Sequence, residues 1–459
     1  MGTGARFWRA WTPFATTILA MLHPTVILVL ALLFVPAVAS AGNSEDVVAG
    51  SDVALTGGAV VANVHTGGAM WFNPAGVARL DGTAVDLTGA VLSYSIASAP
   101  GSLSIESGEQ SAGEYSAVQA IPRALTFVAS PRPNLRWGIG FFFSRAFDRF
   151  IQDTVSTPAD STEPSEFFAT ADEAKSVYHL SGNMAWKKSE KFLLGGGLDI
   201  VVASSKSSEI LSGAYASGAG GISNRSVNQS VAGGGLQMKL GLQWAPIEQV
   251  RIGWMVATPS YLVYLDNETT ATRSLSPPND PARFEGTQID EFGGAWAGVE
   301  MGLTRLGTAY LGKWGWIEAD LVLSFPLNTP ELDIDKKTTA NARVGGIFRL
   351  TDRLKLGAGF FTDLSPERAP DDFGDSQIDF YGFTLGIDFA NREAPPTKNE
   401  DGFYLAFAVA LRYSHGNGTM AGVVFPSAFP QPTALPGQLN PVNVKINEFG
   451  INLAVKAAF

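Results

Sequence analysis

His179, Ser181 and Asn183 stand two apart in the chain, so on a strand they share one face. A His with a Ser offers the base and nucleophile of a hydrolase. Other groups offer charge alone. Lys239, Arg343, Arg349, Arg412 and Lys456 could hold a carboxylate by charge-assisted hydrogen bonds, while Glu318, Asp320 and Glu448 could neutralise them instead. Asp371, Asp372, Asp375 and Asp379 cluster, but they lack the ligand spacing of a dedicated calcium loop. The chain has no cysteine, which excludes disulfides, thiolate nucleophiles and thiolate metal sites. No metal and no cofactor are expected.

The elements that must position these residues are strands. From Glu448 to the end the chain alternates without a break: Phe449, Ile451, Leu453, Val455, Ala457 and Phe459 line one face, and Glu448, Asn452 and Lys456 share the other with small residues. Such a strand suits lipid on one side and water on the other. Left unpaired it would invite aggregation, and a closed barrel in a membrane pairs it. The same two-faced pattern recurs, for example with Leu236, Met238, Leu240, Leu242 and Trp244 opposite Gln237, Lys239 and Gln243. In the strand that carries His179, the lipid face is Tyr178, Leu180, Met184 and Trp186. His179 and Ser181 then face the lumen, away from lipid, which disfavours a hydrolase; no enzyme activity is expected.

Arg6 and Arg9, the apolar stretch 26–35 and Ala39-Ser40-Ala41 make residues 1–41 a cleavable secretory signal. Its removal takes away two arginines and no acid, so a formal charge of −11 becomes more negative by two, which disfavours nucleic acid as a partner. No apolar run of about 20 residues follows the signal, so helical spans are excluded and a barrel remains.

Counting period-two segments gives strands near 84–97, 115–130, 137–147, 175–186, 192–204, 228–244, 250–258, 291–304, 314–325, 338–350, 354–364, 377–390, 402–414 and 445–459. Short connections alternate with long ones such as 148–174, 205–227, 259–290 and 415–444. An even strand number with alternating loop lengths predicts an all-β, antiparallel transmembrane barrel of about 14 strands in the bacterial outer membrane, occupying residues 84–459. Its last strand should close on 84–97. Residues 42–83 do not alternate, and they would fill the lumen as a plug, or hatch. In the third strand Gly138, Gly140 and Phe142 face inward, opposite Trp137, Ile139, Phe141 and Phe143, and the glycines would suit a bend.

The stretch Trp71-Phe72-Asn73-Pro74-Ala75-Gly76-Val77-Ala78-Arg79-Leu80, just ahead of the first strand, resembles the long-chain fatty acid and aromatic hydrocarbon transporters of the bacterial outer membrane. Residues 241–246, 253–260 and 357–366 are similar to that family too. The resemblance implies passive, cofactor-free uptake of hydrophobic small molecules by a monomer surrounded by outer-membrane lipid. Substrate would enter at a groove between the third and fourth outer loops, pass a lumen pocket gated by the hatch, and leave sideways beside a kinked third strand. The groove would use Tyr215, Tyr261, Leu262 and Tyr264; the gate Phe72, Asn73, Pro74 and Ala75; the lateral gap Gly138, Gly140 and Phe142; and carboxylate contacts Lys239, Arg343 and Arg412. A structural or adhesive barrel with a closed lumen, or a general porin, is the alternative.

Overall fold

The computed structural model describes residues 47–459 apart from 81, 159–164, 216–220, 277–282, 295–296, 331–333, 371–372, 394–401 and 428–437. The expected secretory signal lies outside the described residues. Fourteen barrel strands are numbered here in chain order. They are β1 (Ala84–Ser98), β2 (Glu114–Arg132), β3 (Leu135–Ser156), β4 (Ser165–Ser189), β5 (Phe192–Tyr215), β6 (Gly221–Ile247), β7 (Val250–Ala257 and Ser260–Ser276), β8 (Arg283–Gly294, Ala297–Glu300 and Leu303–Gly312), β9 (Gly315–Ser324), β10 (Thr339–Arg349), β11 (Leu354–Asp363), β12 (Ser376–Ala390), β13 (Tyr404–Phe425) and β14 (Gln438–Ala458).

Each strand pairs antiparallel with its neighbours, and β14 returns to β1 from Ala84↔Ala458 to Ser98↔Lys445. Phe459 extends the seam by one residue, its N–H donating to Thr83 O at 2.9 Å. The closure read from the terminal alternation is therefore the observed one. Closure leaves no free edge along this seam, which is what backbone groups in hydrocarbon require. Side chains alternate as the pleat dictates: in β6, Met238 and Leu240 are about 60 % exposed on the outer wall, whereas Gln237, Lys239 and Gln243 are buried inside. No helix among the described residues is long and apolar enough to cross a membrane.

Two expectations change. The eighth strand, expected at 291–304, runs in pieces from Arg283 to Gly312. Arg305 and Gly307 resemble connection residues, yet they point inward while Leu306 and Tyr310 face out, so the pleat continues to the turn at Lys313–Trp314. The segments 148–174, 205–227 and 259–290, expected as loops, are mostly paired strands, as are 415–425 and 438–444 of the expected loop 415–444; β5 and β6 stay in register out to Tyr215↔Gly221. Much of this extension is Ser- and Thr-rich on both faces and so carries little apolar alternation to reveal it.

Inside the barrel lies the N-terminal segment Val47–Leu80, in which only His65 is exposed. It contains two short helices, α1 (Ser51–Thr56) and α2 (Ala69–Phe72), and a 3-10 turn, Pro74–Arg79. Leu55, Val60, Met70 and Phe72 are almost fully buried in a cluster that reaches Val128, Phe142, Leu193 and Ile347 of the wall. Burial of side chains of this size contributes roughly 1.5–3 kcal/mol each. Polar wall residues take up the segment's irregular backbone. Asp320 accepts from the N–H groups of Val60 and Val61 at 2.8 and 3.1 Å, Glu318 from Ala62 N at 2.5 Å, Asp86 from Gly67 N at 2.8 Å and Thr88 from Gly50 N at 2.8 Å. These pairings satisfy donors that no helix or ladder serves.

Candidate functional site

Asn73, Pro74 and Ala75 form a turn seated on the wall. Asn73 is fully buried: its Oδ1 accepts from Ala75 N at 3.2 Å, capping the 3-10 turn, and its Nδ2 donates to Val61 O at 2.8 Å and to Leu242 O of β6 at 3.0 Å. Pro74 occupies the first helical position, where a missing N–H costs nothing. The seat exists because β5 and β6 present glycines there. A Cβ on Gly195 would lie 2.3 Å from Pro74 C, and one on Gly241 2.1 Å from Asn73 Oδ1. Gly195→Ala should therefore lower stability by about 1–3 kcal/mol in urea unfolding followed by tryptophan fluorescence. Gly196→Ala, whose Cβ would meet Leu240 at an ordinary 3.5 Å, is the control and should change it far less.

Next along the segment, Trp71 sits at the centre of a mixed aromatic and charged cluster. The Lys239 Nζ lies 3.8 Å above its ring, His179 meets it edge-on at 4.9 Å and Phe142 of β3 lies at 5.4 Å. Its carbonyl accepts from Arg305 Nη1 at 2.8 Å. Behind this ring the lumen charges are interlocked. Lys239 pairs with Asp199 at 2.5 Å; His179 Nδ1 meets Asp199 at 3.2 Å, and its Nε2 meets Glu300 at 2.9 Å and Ser144 at 3.1 Å. Ser144 donates to Glu300 Oε1 at 2.7 Å, Ser181 donates to Asp199 Oδ1 at 2.5 Å, and Asn183 donates to Ser181. His179, Ser181 and Asn183 do share one lumen face, joined through Asp199 to Lys239 and through Ser144 to Glu300. In the segment itself, burial pushes the Asp52 carboxyl above its ordinary range, against the hydrogen bonds from Thr66 Oγ1 and His65 N. Burial, with the nearby Arg251 guanidinium, pulls Arg79 down to about 9.

Phe142 also marks a discontinuity in the wall. β2 and β3 pair only from Ala124↔Phe142 to Arg132↔Leu135; beyond that point 114–123 pairs with β1 and 143–156 with β4. Among the described residues, no ladder joins those two outer stretches to each other. The strand bends here at a bulge: the register slips between Phe143 and Arg145, and Ser144 turns into the lumen. Phe143 stays directly opposite Tyr178, on the expected face, and is only 8 % exposed because the Tyr178 ring packs edge-on against it at 4.5 Å. At the outer end Asp153 of β3 accepts from Ser102 Oγ at 2.5 Å and from Tyr115 OH of β2 at 3.3 Å.

The other residues singled out from sequence scatter. Gly138 and Gly140 face inward as expected; a Cβ on Gly138 would crowd Met70, and one on Gly140 would meet Phe142. Phe72 is buried, with the Arg305 and Arg343 guanidiniums 4.9 and 5.8 Å from its ring centre. The four residues of the expected groove do not form one. Tyr215 is buried against Phe167 in an apolar cluster at the outer end that includes Phe425, Leu262 is buried against Val177 and Val201, and Tyr261 and Tyr264 are exposed on the outer wall. The groove fails because 260–276 is a strand, whose pleat sends neighbours to opposite faces, and a bulge near Val263 separates Leu262 from Tyr264. Of the expected carboxylate contacts, Lys239 is held by Asp199, Arg343 donates to Gly58 O at 3.4 Å and Arg412 stacks on Phe361 at 4.4 Å. Asp371 and Asp372 lie outside the described residues, and Asp379 accepts from Ser365 N. Sequence reading gave no role to Asp199, Glu300 or Arg305; their inward position in the alternation was the available signal for Asp199, and the mistaken turn hid Arg305.

No curated protein sequence matches the chain. Among solved structures, it is similar to a Pseudomonas aeruginosa FadL homologue at 14 % identity, covering 91 % of this chain and 100 % of that one with a TM-score of 0.58. It is similar to the Ralstonia pickettii toluene transporter TbuX at 14 % identity, 89 % and 98 % coverage and a TM-score of 0.52. For the P. putida toluene transporter TodX the figures are 14 %, 89 %, 98 % and 0.51. At these identities the likeness is one of fold. Residues 32–260 match the family model described as outer membrane protein transport protein (OMPP1/FadL/TodX), and this match takes in the Asn73-Pro74-Ala75 turn, Trp71 with Phe142, His179, Asp199 and Lys239, and the break between β2 and β3. The chain belongs to the OMPP1/FadL/TodX family of outer membrane transport proteins.

Proposed function

We propose that the chain carries hydrophobic compounds, long-chain fatty acids or related hydrocarbons, passively across the outer membrane, with the N-terminal segment as its hatch and the break between β2 and β3 as a sideways exit into lipid. The observation that carries this reading is the meeting of Trp71 with Phe142 at 5.4 Å, at the last paired position before the two strands separate. A shift of the hatch at Trp71 would move Phe142 directly beside the exit. Substrate would enter through the apolar cluster around Phe167, Tyr215 and Phe425 at the outer end rather than through a groove between loops. Asn73, Pro74 and Ala75 then act as the fixed seat on which the hatch moves, and Gly138 and Gly140 keep the wall thin beside Met70 and Phe142. The family is one of transport channels, and no step here requires a catalytic group or a cofactor. An open porin fits less well, because Val47–Leu80 lies inside the barrel and packs against wall residues Val128, Phe142, Leu193 and Ile347.

Cells expressing the chain should take up labelled oleate or labelled toluene faster than cells without it. Removal of residues 47–80 should let polar solutes leak through as well. Failure of the intact protein to raise uptake of either compound would overturn the proposal.

A further inference from the structure

The cavity of about 40 Å³ beside Trp71 is lined by Ser144, Lys239, Glu300, Arg305 and Lys336 among others. It is rich in cationic groups, yet each has an acceptor from the chain itself. Lys239 holds Asp199, Arg305 holds the Trp71 carbonyl, Lys336 meets Glu367 at 3.4 Å, and His179, just behind Ser144, lies between Asp199 and Glu300. Glu300 is the carboxylate among the residues that line the cavity. The Asp199 side chain is fully buried, whereas that of Glu300 is 21 % exposed at the cavity. Its two oxygens take the two contacts a carboxylate wants there, Ser144 Oγ at 2.7 Å and His179 Nε2 at 2.9 Å. It also ends the short piece Ala297–Glu300 of β8, before the break at Met301-Gly302, and its N–H donates to Ser260 Oγ at 2.9 Å, which fixes where the side chain starts.

We propose that Glu300 is a specificity-determining residue: it fills the cavity's carboxylate position, so that the site takes apolar compounds without an anionic head in preference to free fatty acids. This rests on the transport reading and narrows its substrate class. An incoming carboxylate would find its partners occupied and a like charge beside it, which is discrimination by repulsion as well as by lost contacts. A neutral head has no such conflict and can hydrogen-bond to the carboxylate edge. Glu300→Gln would keep the shape and one acceptor oxygen, but it removes the charge and replaces the second acceptor with an amide NH2 that can only donate.

The test is equilibrium binding of two labelled probes with the same chain, oleyl alcohol and oleate, to the full protein in neutral detergent. The wild-type protein should bind the alcohol at least roughly tenfold more tightly than oleate, and Glu300→Gln should move that ratio at least roughly tenfold toward oleate. The wild-type ratio decides the matter even where the variant does not fold. Comparable binding of both probes by the wild type, or a ratio unmoved in a folded Glu300→Gln protein, overturns the inference and leaves transport standing. Binding of neither probe overturns the transport reading and this inference together.

Discussion

Uptake of a labelled hydrophobic compound should fall at least about tenfold when cysteines at positions 115 and 153 are bridged by a cleavable bis-thiol reagent, and should return when the bridge is reduced. Tyr115 and Asp153 belong to the two strands that separate beyond Phe142, and their side chains already meet at 3.3 Å at the outer end of the break. A covalent link there holds β2 and β3 at one spacing, beside the outer-end cluster against which Tyr115 packs, so the return of uptake on reduction separates the effect of the link from that of the substitutions. With no native cysteine in the chain, the Tyr115→Cys, Asp153→Cys protein carries one reactive pair. In a hydrocarbon surround, unpaired backbone is tolerated only where protein buries it or where it lines a cavity, so the missing ladder is where the proposed exit would open. Full uptake by the bridged protein would show that substrate leaves elsewhere.

Trp71→Ala should loosen the segment Val47–Leu80, the proposed hatch, with a large effect. The ring is 8 % exposed and touches Phe142, His179 and Lys239, so its loss removes a large buried surface and leaves a cavity, a combination that costs about 3–5 kcal/mol. It also strips the Lys239 ammonium of its aromatic partner, worth up to about 2 kcal/mol where water is excluded. The barrel ladder is untouched, so the loss should appear as ion leakage, read as conductance in a planar bilayer, while the protein still inserts. Trp71→Phe should leak less than Trp71→Ala, because it restores most of the surface. Equal, wild-type conductance in both would mean that the segment is held without Trp71, through the Asp320, Glu318 and Asn73 contacts alone.

The barrel was legible because its pattern is local. Phe449 to Phe459 alternates, the alternation fixes which face meets lipid, and repetition of the pattern along the chain fixes the strand number; hence the closure of β14 on β1 could be read before any pairing was seen. The Asn73-Pro74-Ala75 turn was legible for the same reason, since Pro sets φ and Asn bonds its own neighbour. The outer parts of β3 to β8 were not, because Ser- and Thr-rich stretches look alike whether they are loops or paired ribbons in water, and with them went the expected groove of Tyr215, Tyr261, Leu262 and Tyr264.

What the sequence determined by itself is therefore the class of solvent each face needs: lipid outside, polar lumen inside, and a non-alternating segment to fill it. Only the tertiary structure decided which charges meet. Lys239, His179, Asp199 and Glu300 come from β6, β4, β5 and β8, and the distances of 2.5 to 3.2 Å that join them depend on strand stagger, on the bulge at Ser144 and on where Trp71 comes to rest. Alternation constrains one residue at a time, whereas an ion pair across a lumen depends on the register of every strand between its partners.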